Sequence, residues 1–193
     1  MLFRTVYGPE LLAIYEYIYR FGNADPPLTK DRIRQAFLVS EKSSQSIDDA
    51  LAFLLSAGLI EQIKAGFIAI DRSDRSFRIK LLKRLRLLEC GDQFPRHPLD
   101  PLYPLLLTRV FIEPNNLYVE DVHAAANQLD VVEAVGGLSK EKIRAWERVM
   151  AYLGLGHRVS GGFLCTYEPT LLIEILQYWQ ESRGTLQDFL EHL

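Results

Sequence analysis

Lys140, Arg144 and Arg148 stand at i, i+4 and i+8 in a stretch of helical periodicity, so the spacing puts three cations in one row on a single helix face. A row of that kind can grip phosphate but breaks no bond by itself. Ser139 precedes it with the type and place of an N-cap, and a capped helix N-terminus offers a second phosphate site. His157, Arg158 and Ser160 follow in a β-prone run and are placed to reach a phosphate or a minor groove. The opposing interpretation is a solvated face: Glu141 and Glu147 neutralise part of the row, and exposed helices ordinarily carry Lys and Arg.

A second group of cations lies earlier. Arg72, Arg75, Arg78, Lys80, Lys83, Arg84 and Arg86 are opposed by one acid, Asp74, a local charge of +6 in a chain whose total is −3. Such a segment can lie along a nucleic-acid backbone, meet an acidic partner, fold onto the acidic remainder of its own chain, or serve as a solvated linker helix packed by its leucines. A membrane surface is a poorer fit, since Phe77 is its one aromatic residue.

Bond-making chemistry finds little support. The sequence has no Gly-x-Ser-x-Gly elbow, no Gly-rich loop ending in Lys-Ser/Thr, no His-Glu-x-x-His and no Cys-x-x-Cys. Cys90, Cys165, His97, His123 and His157 include no pair at metal-ligand spacing. Carboxylate pairs such as Glu10 with Glu16 and Glu120 with Asp121 come without a nucleophile or an orienting group. The expectation is a non-enzymatic protein with no metal, no cofactor and no small-molecule substrate.

The elements that must position the cations follow from periodicity. Ile143, Trp146, Met150 and Leu153 share the apolar face of the helix that Ser139 caps, with Leu138 and Ile143 placed as a hydrophobic staple. Gly154 should stop that helix. Leu155 to Val159 and Phe163 to Tyr167 then flank Ser160, Gly161 and Gly162, which reads as a β-hairpin.

The same layout occurs earlier at a constant offset of 96 residues. Gly58-Leu59 corresponds to Gly154-Leu155, and Gly66-Phe67-Ile68 to Gly162-Phe163-Leu164. Leu54 falls on Met150 and Ala50 on Trp146, which makes the chain a duplicated module. The counterparts of Lys140, Arg144 and Arg148 are Ser44, Asp48 and Ala52, so the first copy lacks the basic row.

In chain order, helices are expected over about Pro9 to Phe21, from a Thr29 cap to Phe37, and from a Ser46–Asp49 capping box to Ala57. Ser40 to Ser46 is the turn before the third of these. A hairpin from Leu59 to Ile70 turns at Ala65-Gly66. A helix from about Ser76 to Glu89 carries the basic segment, and Cys90 to Pro101 reads as linker. Leu102 to Ile112 opens the second module as a helix, another runs from about Tyr118 to Leu129, and a loop passes through Gly136-Gly137. After the second hairpin, Pro169 starts a helix to about Ser182, and Thr185 with Asp188 caps a last short one. The resulting division is a module over residues 1–71, a basic connecting helix and linker over 72–98, and a module over 99–193.

Most aromatic residues recur at core spacing, but Tyr17 falls off the buried stripe and with Arg20 suits an interface. Hydrophobic residues at 48% of 193 suffice for two small cores, and the charge of −3 argues against a broad basic surface. No apolar run has membrane-spanning length, no signal-peptide core follows Met1, and two cysteines suit a reducing compartment, so the expectation is a cytoplasmic protein.

Three helices followed by a hairpin, given twice and without catalytic motifs, resemble the tandem winged-helix proteins. The layout is mainly α with small β-hairpins, two winged helix-turn-helix modules in tandem. One branch comprises the kleisin-interacting elements of bacterial chromosome condensation complexes and their relatives in plasmid defence; transcription factors and endosomal sorting subunits share the layout. The condensation branch implies a homodimer that binds a kleisin and an ATPase, with the neutral first module serving a protein partner. A transcriptional or defence DNA binder implies that the Lys140, Arg144 and Arg148 row dominates. The sequence thus directs expectation to DNA contact through the second module and basic connector within a larger assembly, with a pure protein-interaction adaptor as the alternative.

Overall fold

The structure, a computed structural model, describes residues 1–23, 26–38, 43–64, 66–92 and 95–178. It is mainly helical with two small antiparallel sheets. Helices α1 (Gly8–Phe21), α2 (Lys30–Phe37) and α3 (Ser43–Ser56) lead into strands β1 (Ile60–Ile63) and β2 (Gly66–Ala69). Helix α4 (Phe77–Glu89) carries the basic segment. Helix α5 (Leu102–Leu107), β3 (Tyr118–Val119), α6 (Val122–Asn127), α7 (Asp130–Glu133) and α8 (Lys140–Leu153) precede β4 (His157–Val159), β5 (Gly162–Leu164) and α9 (Pro169–Tyr178).

Local chemistry explains the ends of these elements. The Thr29, Ser76 and Ser139 hydroxyls accept from the backbone N–H of Arg32, Ile79 and Lys142, each satisfying one of the orphan donors of a helix start. Gly154 ends α8 in the left-handed conformation at φ 79°, where a Cβ would be strained. Gly58 does the same 96 residues earlier at φ 70°. The hairpins pair in matching register, Ile63 with Gly66 and Val159 with Gly162 at their turns.

Burial follows the offset as well. Ile47 and Ile143, Ala50 and Trp146, Phe53 and Val149, Leu54 and Met150, Leu59 and Leu155, and Phe67 and Phe163 are all buried. In the first half the Phe67 N–H donates to the Leu28 carbonyl, a single bridge just ahead of α2. In the second half that bridge has grown into β3, which pairs Tyr118 with Leu164 and Val119 with Phe163 just ahead of α6.

Several expectations require correction. The segment from Tyr118 to Leu129 is not one helix: Tyr118 and Val119 form β3, because the exposed edge of β5 offers them ladder hydrogen bonds. Asp121 then caps α6 by accepting from the Ala124 N–H, and α7 is a separate short turn. Ser46 lies inside α3, which begins at Ser43, rather than at its cap, and the Ser46 hydroxyl donates to Glu10 at 2.7 Å. The helix opening the second half spans the expected residues, but Thr108–Ile112 widens into a π turn. The expectations at Ser40 to Lys42, Ala65, Gln93 and Phe94, and from Trp179 through the last short helix, lie outside the described residues.

The two halves share one hydrophobic core. Helix α4 enters it through Phe77, Leu81, Leu85 and Leu88. The fully buried Asp100, in the expected linker, accepts the Leu2 N–H at 2.6 Å. Helix α1 rests on α8, where Gly8 meets the ring of Tyr152. Trp146 sits in the core of the second half, stacked on Phe111 and tilted against Phe163, with its indole N–H donating to the Tyr103 carbonyl at 2.8 Å. Among the described residues no helix is long and apolar enough to cross a membrane.

Candidate nucleic-acid interface

The amphipathic pattern of α8 buries Ile143, Trp146, Val149, Met150 and Leu153 and turns Lys140 and Arg144 outward. Arg148 departs from the expected row. It is half-buried, with its guanidinium 5.2 Å from the ring centroid of Tyr7, so the third cation spends its charge on an aromatic face of the N-terminal segment.

Lys140 and Arg144 border a cleft of about 270 Å³ between α8, the N-terminus of α6 and the β4–β5 hairpin. Arg158 from the hairpin and His123 from α6 complete its basic and titratable side, while Glu120, Asp121 and Glu147 supply acid. His157 is exposed on the same strand as Arg158. Ser139 is committed to its cap, and hydrogen bonds from the backbone and from Ser139 hold the Glu141 carboxyl below its ordinary range. The helix start therefore already carries an anion of its own.

Glu147 is the residue that sequence reasoning misplaced. It is not part of a solvated face but 93% buried, at 7% exposure. Its Oε2 lies 3.1 Å from Arg158 Nε without meeting hydrogen-bond geometry, so the contact is ionic and the oxygen has no hydrogen-bond partner among the described residues. Burial pushes the Glu147 carboxyl up, against the lowering effect of Arg158, Arg144 and Arg148. The available signal was the repeat: subtracting 96 places Glu147 on Leu51, a core position in the first half.

The basic connector does not present one cationic surface. Arg78 reaches Glu168 at 3.0 Å and Glu174 at 2.5 Å, clamping α4 to α9. Lys80 is buried, with Nζ 4.6 Å from the Tyr19 ring centroid and donating to the Asp71 carbonyl, and burial pushes its ammonium pKa down. Arg72 lies beside the Tyr19 ring at 5.9 Å, and Arg75 and Arg86 are engaged within the chain. Lys83 is exposed and Arg84 half-buried. The structure thus brings Lys140, Arg144 and Arg158 together and uses Arg78, Lys80 and Arg148 internally.

The matching face of the first half carries one acid, which is already paired. Asp48, the counterpart of Arg144, pairs with Lys30 at 3.0 Å and Arg34 at 2.5 Å. Tyr17, expected at an interface, packs against Phe21 and Phe37 on the surface, with ring centroids 5.0 and 5.4 Å away. Cys90 is exposed and Cys165 buried, both as free thiols. Among the described residues no three His, Cys, Asp or Glu side chains gather as a metal site.

No family model, curated protein or solved structure matches this chain.

Proposed function

We propose that the chain is a non-catalytic tandem winged-helix protein that contacts DNA through its second module, as part of a larger assembly. The carrying observation is that Lys140 and Arg144 stand exposed on α8 and line one cleft with the hairpin cation Arg158. The order of a helix, a strand or bridge, further helices (α2 and α3 in the first half; α6, the short α7 and α8 in the second) and a hairpin recurs in both halves, and this supports the winged-helix reading. In such a module α8 is the helix that enters a groove and β4–β5 is the wing. The connector contributes through Lys83, which remains exposed, rather than through Arg78 or Lys80.

The test is fluorescence anisotropy of a labelled random duplex at two salt concentrations. The Lys140→Ala/Arg144→Ala pair is expected to weaken binding and to lower the salt slope by about 2, one phosphate contact being worth roughly 0.9 in log–log slope. Arg148→Ala is expected to leave the slope unchanged. Absence of binding by the parent chain at low salt would end this reading.

A protein-interaction adaptor is favoured by a different observation. An apolar groove of about 420 Å³ runs between α4, α5, α8 and α9, lined by Leu82, Leu85, Leu107, Ile112, Leu172 and Ile175. Ile112, at 50% exposure, lies on the π turn that borders it. If the adaptor reading holds, charged substitutions at Ile112 and Leu172 would abolish partner capture while changes at Lys140 and Arg144 would not.

A further inference from the structure

The two halves keep an apolar framework along α3 and α8, but at one buried position of α8 a charged residue stands where α3 has an apolar one. Leu51 in α3 is 3% exposed and sits in the core; Glu147, at the equivalent place in α8, is 7% exposed and carries a carboxylate there. The wing differs in step, since Arg158 corresponds to Gln62 by the same offset. A leucine therefore satisfies this fold at this site, and a buried carboxylate with an oxygen lacking a hydrogen bond is the costlier choice. Departures of that kind from local consistency concentrate at functional sites.

The geometry of the pair points to a role. The Glu147 Oε2 approaches Arg158 at Nε, at 3.1 Å, and the Arg158 side chain is still 56% exposed at the rim of the cleft shared with Lys140 and Arg144. An ionic contact at Nε can hold the guanidinium beside the carboxylate while its terminal nitrogens stay available for bidentate contact with an anion. A free arginine would instead have to surrender its rotamer freedom on each binding event.

We propose that Glu147 is a positioning residue: it anchors Arg158 on the wing so that Arg158, Lys140 and Arg144 present a preformed set of donors to adjacent phosphates of the DNA backbone. This inference rests on the DNA-contact reading above. It carries a counter-intuitive consequence, because Coulomb attraction alone says that deleting a carboxylate beside a phosphate site strengthens binding.

The experiment compares the parent chain, Glu147→Leu, Arg158→Ala and the double variant, with a labelled random duplex as the probe across a salt series. Leu is the residue at the equivalent buried position of the first half, and Glu147→Gln serves as a near-isosteric second variant. Glu147→Leu is expected to fold with undiminished melting temperature and to bind three- to tenfold more weakly. Arg158→Ala should weaken binding and lower the salt slope by about 0.9. Adding Glu147→Leu to Arg158→Ala should cost nothing more, a coupling that a merely structural Glu147 would not produce. Glu147→Leu and Glu147→Gln binding as tightly as the parent or tighter would overturn the inference and leave DNA contact standing. A parent that binds no duplex at low salt would overturn both.

Discussion

Gly8 is where the first helix touches the second half, and replacing it with Ala sets two effects against each other. In a helix Ala is favoured over Gly by about 0.5–1 kcal/mol, so local propensity predicts a gain. A Cβ at Gly8 would, however, lie 2.0 Å from Cγ and Cδ2 of Tyr152, whereas carbon atoms pack at roughly 3.5–4.0 Å. Cγ is the root of the ring and cannot swing aside as a side-chain tip would. Either α1 and α8 separate by more than an ångström, or the half-buried ring is expelled, and overpacking of that kind costs about 1–3 kcal/mol. The net expectation for Gly8→Ala is a loss of about 1–2 kcal/mol, or roughly 2–8 °C in Tm for a chain of this size. Thermal unfolding followed by circular dichroism reads this directly. In a Tyr152→Ala background the clash is gone, and Gly8→Ala should be neutral or stabilising. A single Gly8→Ala variant as stable as the parent would refute the claim that α1 and α8 meet at this distance.

Other consequences can be checked with the same melts. Although burial alone would raise it, hydrogen bonds from Arg78 and Ser76 hold the Glu174 carboxyl below its ordinary range. A carboxylate lowered on folding adds stability above its unfolded pKa and loses it as pH falls through the folded value. Glu174→Gln should therefore lower Tm at pH 7, with the deficit shrinking steadily below about pH 4.5; a deficit independent of pH would count against the ion pair. Lys80→Met keeps the buried stem and removes an ammonium whose charged form burial disfavours, so stability at pH 7 should change by less than about 1 kcal/mol and duplex affinity not at all. A fall in salt slope for Lys80→Met would mean that this lysine reaches phosphate after all.

What could be read from the sequence was whatever one element determines by itself. The Thr29, Ser76 and Ser139 caps, the Gly154 stop and both hairpins depend on neighbours a few residues away, and all occur as their local chemistry dictates. Tyr118 and Val119 were misassigned because their conformation depends on the edge of β5, 45 residues on, which supplies hydrogen bonds that no local pattern reveals. The same limit applied to the site. Lys140 and Arg144 point outward because the apolar stripe of α8 points inward, but Arg148 is claimed by Tyr7, Arg78 by Glu168 and Glu174, and Arg158 by Glu147, partners far away in sequence. Seven cations in fifteen residues therefore read as a surface when at least two, Arg78 and Lys80, serve the interior.

The repeat makes the charge pattern more informative than the net charge. Three positions on equivalent surfaces of the halves differ in step: Asp48 against Arg144, Leu51 against Glu147, and Gln62 against Arg158. The buried framework around them is apolar in both, so packing does not require these differences. In the first half Asp48 is consumed by Lys30 and Arg34, which locks α2 to α3 and leaves a surface with little appetite for phosphate. In the second half three cations, Lys140, Arg144 and Arg158, meet three carboxylates, Glu120, Asp121 and Glu147, around the cleft, and Lys140 and Arg144 remain exposed there. On the proposed DNA-contact reading, a chain of charge −3 engages a polyanion at one face without attracting it over the whole surface, because the attraction acts within about a Debye length of roughly 8–10 Å. Exchanging the sets should separate fold from function. Asp48→Arg in the first half should cost stability by breaking its pairs while creating no duplex binding, since neither Leu51 nor Gln62 can supply an anchored hairpin cation.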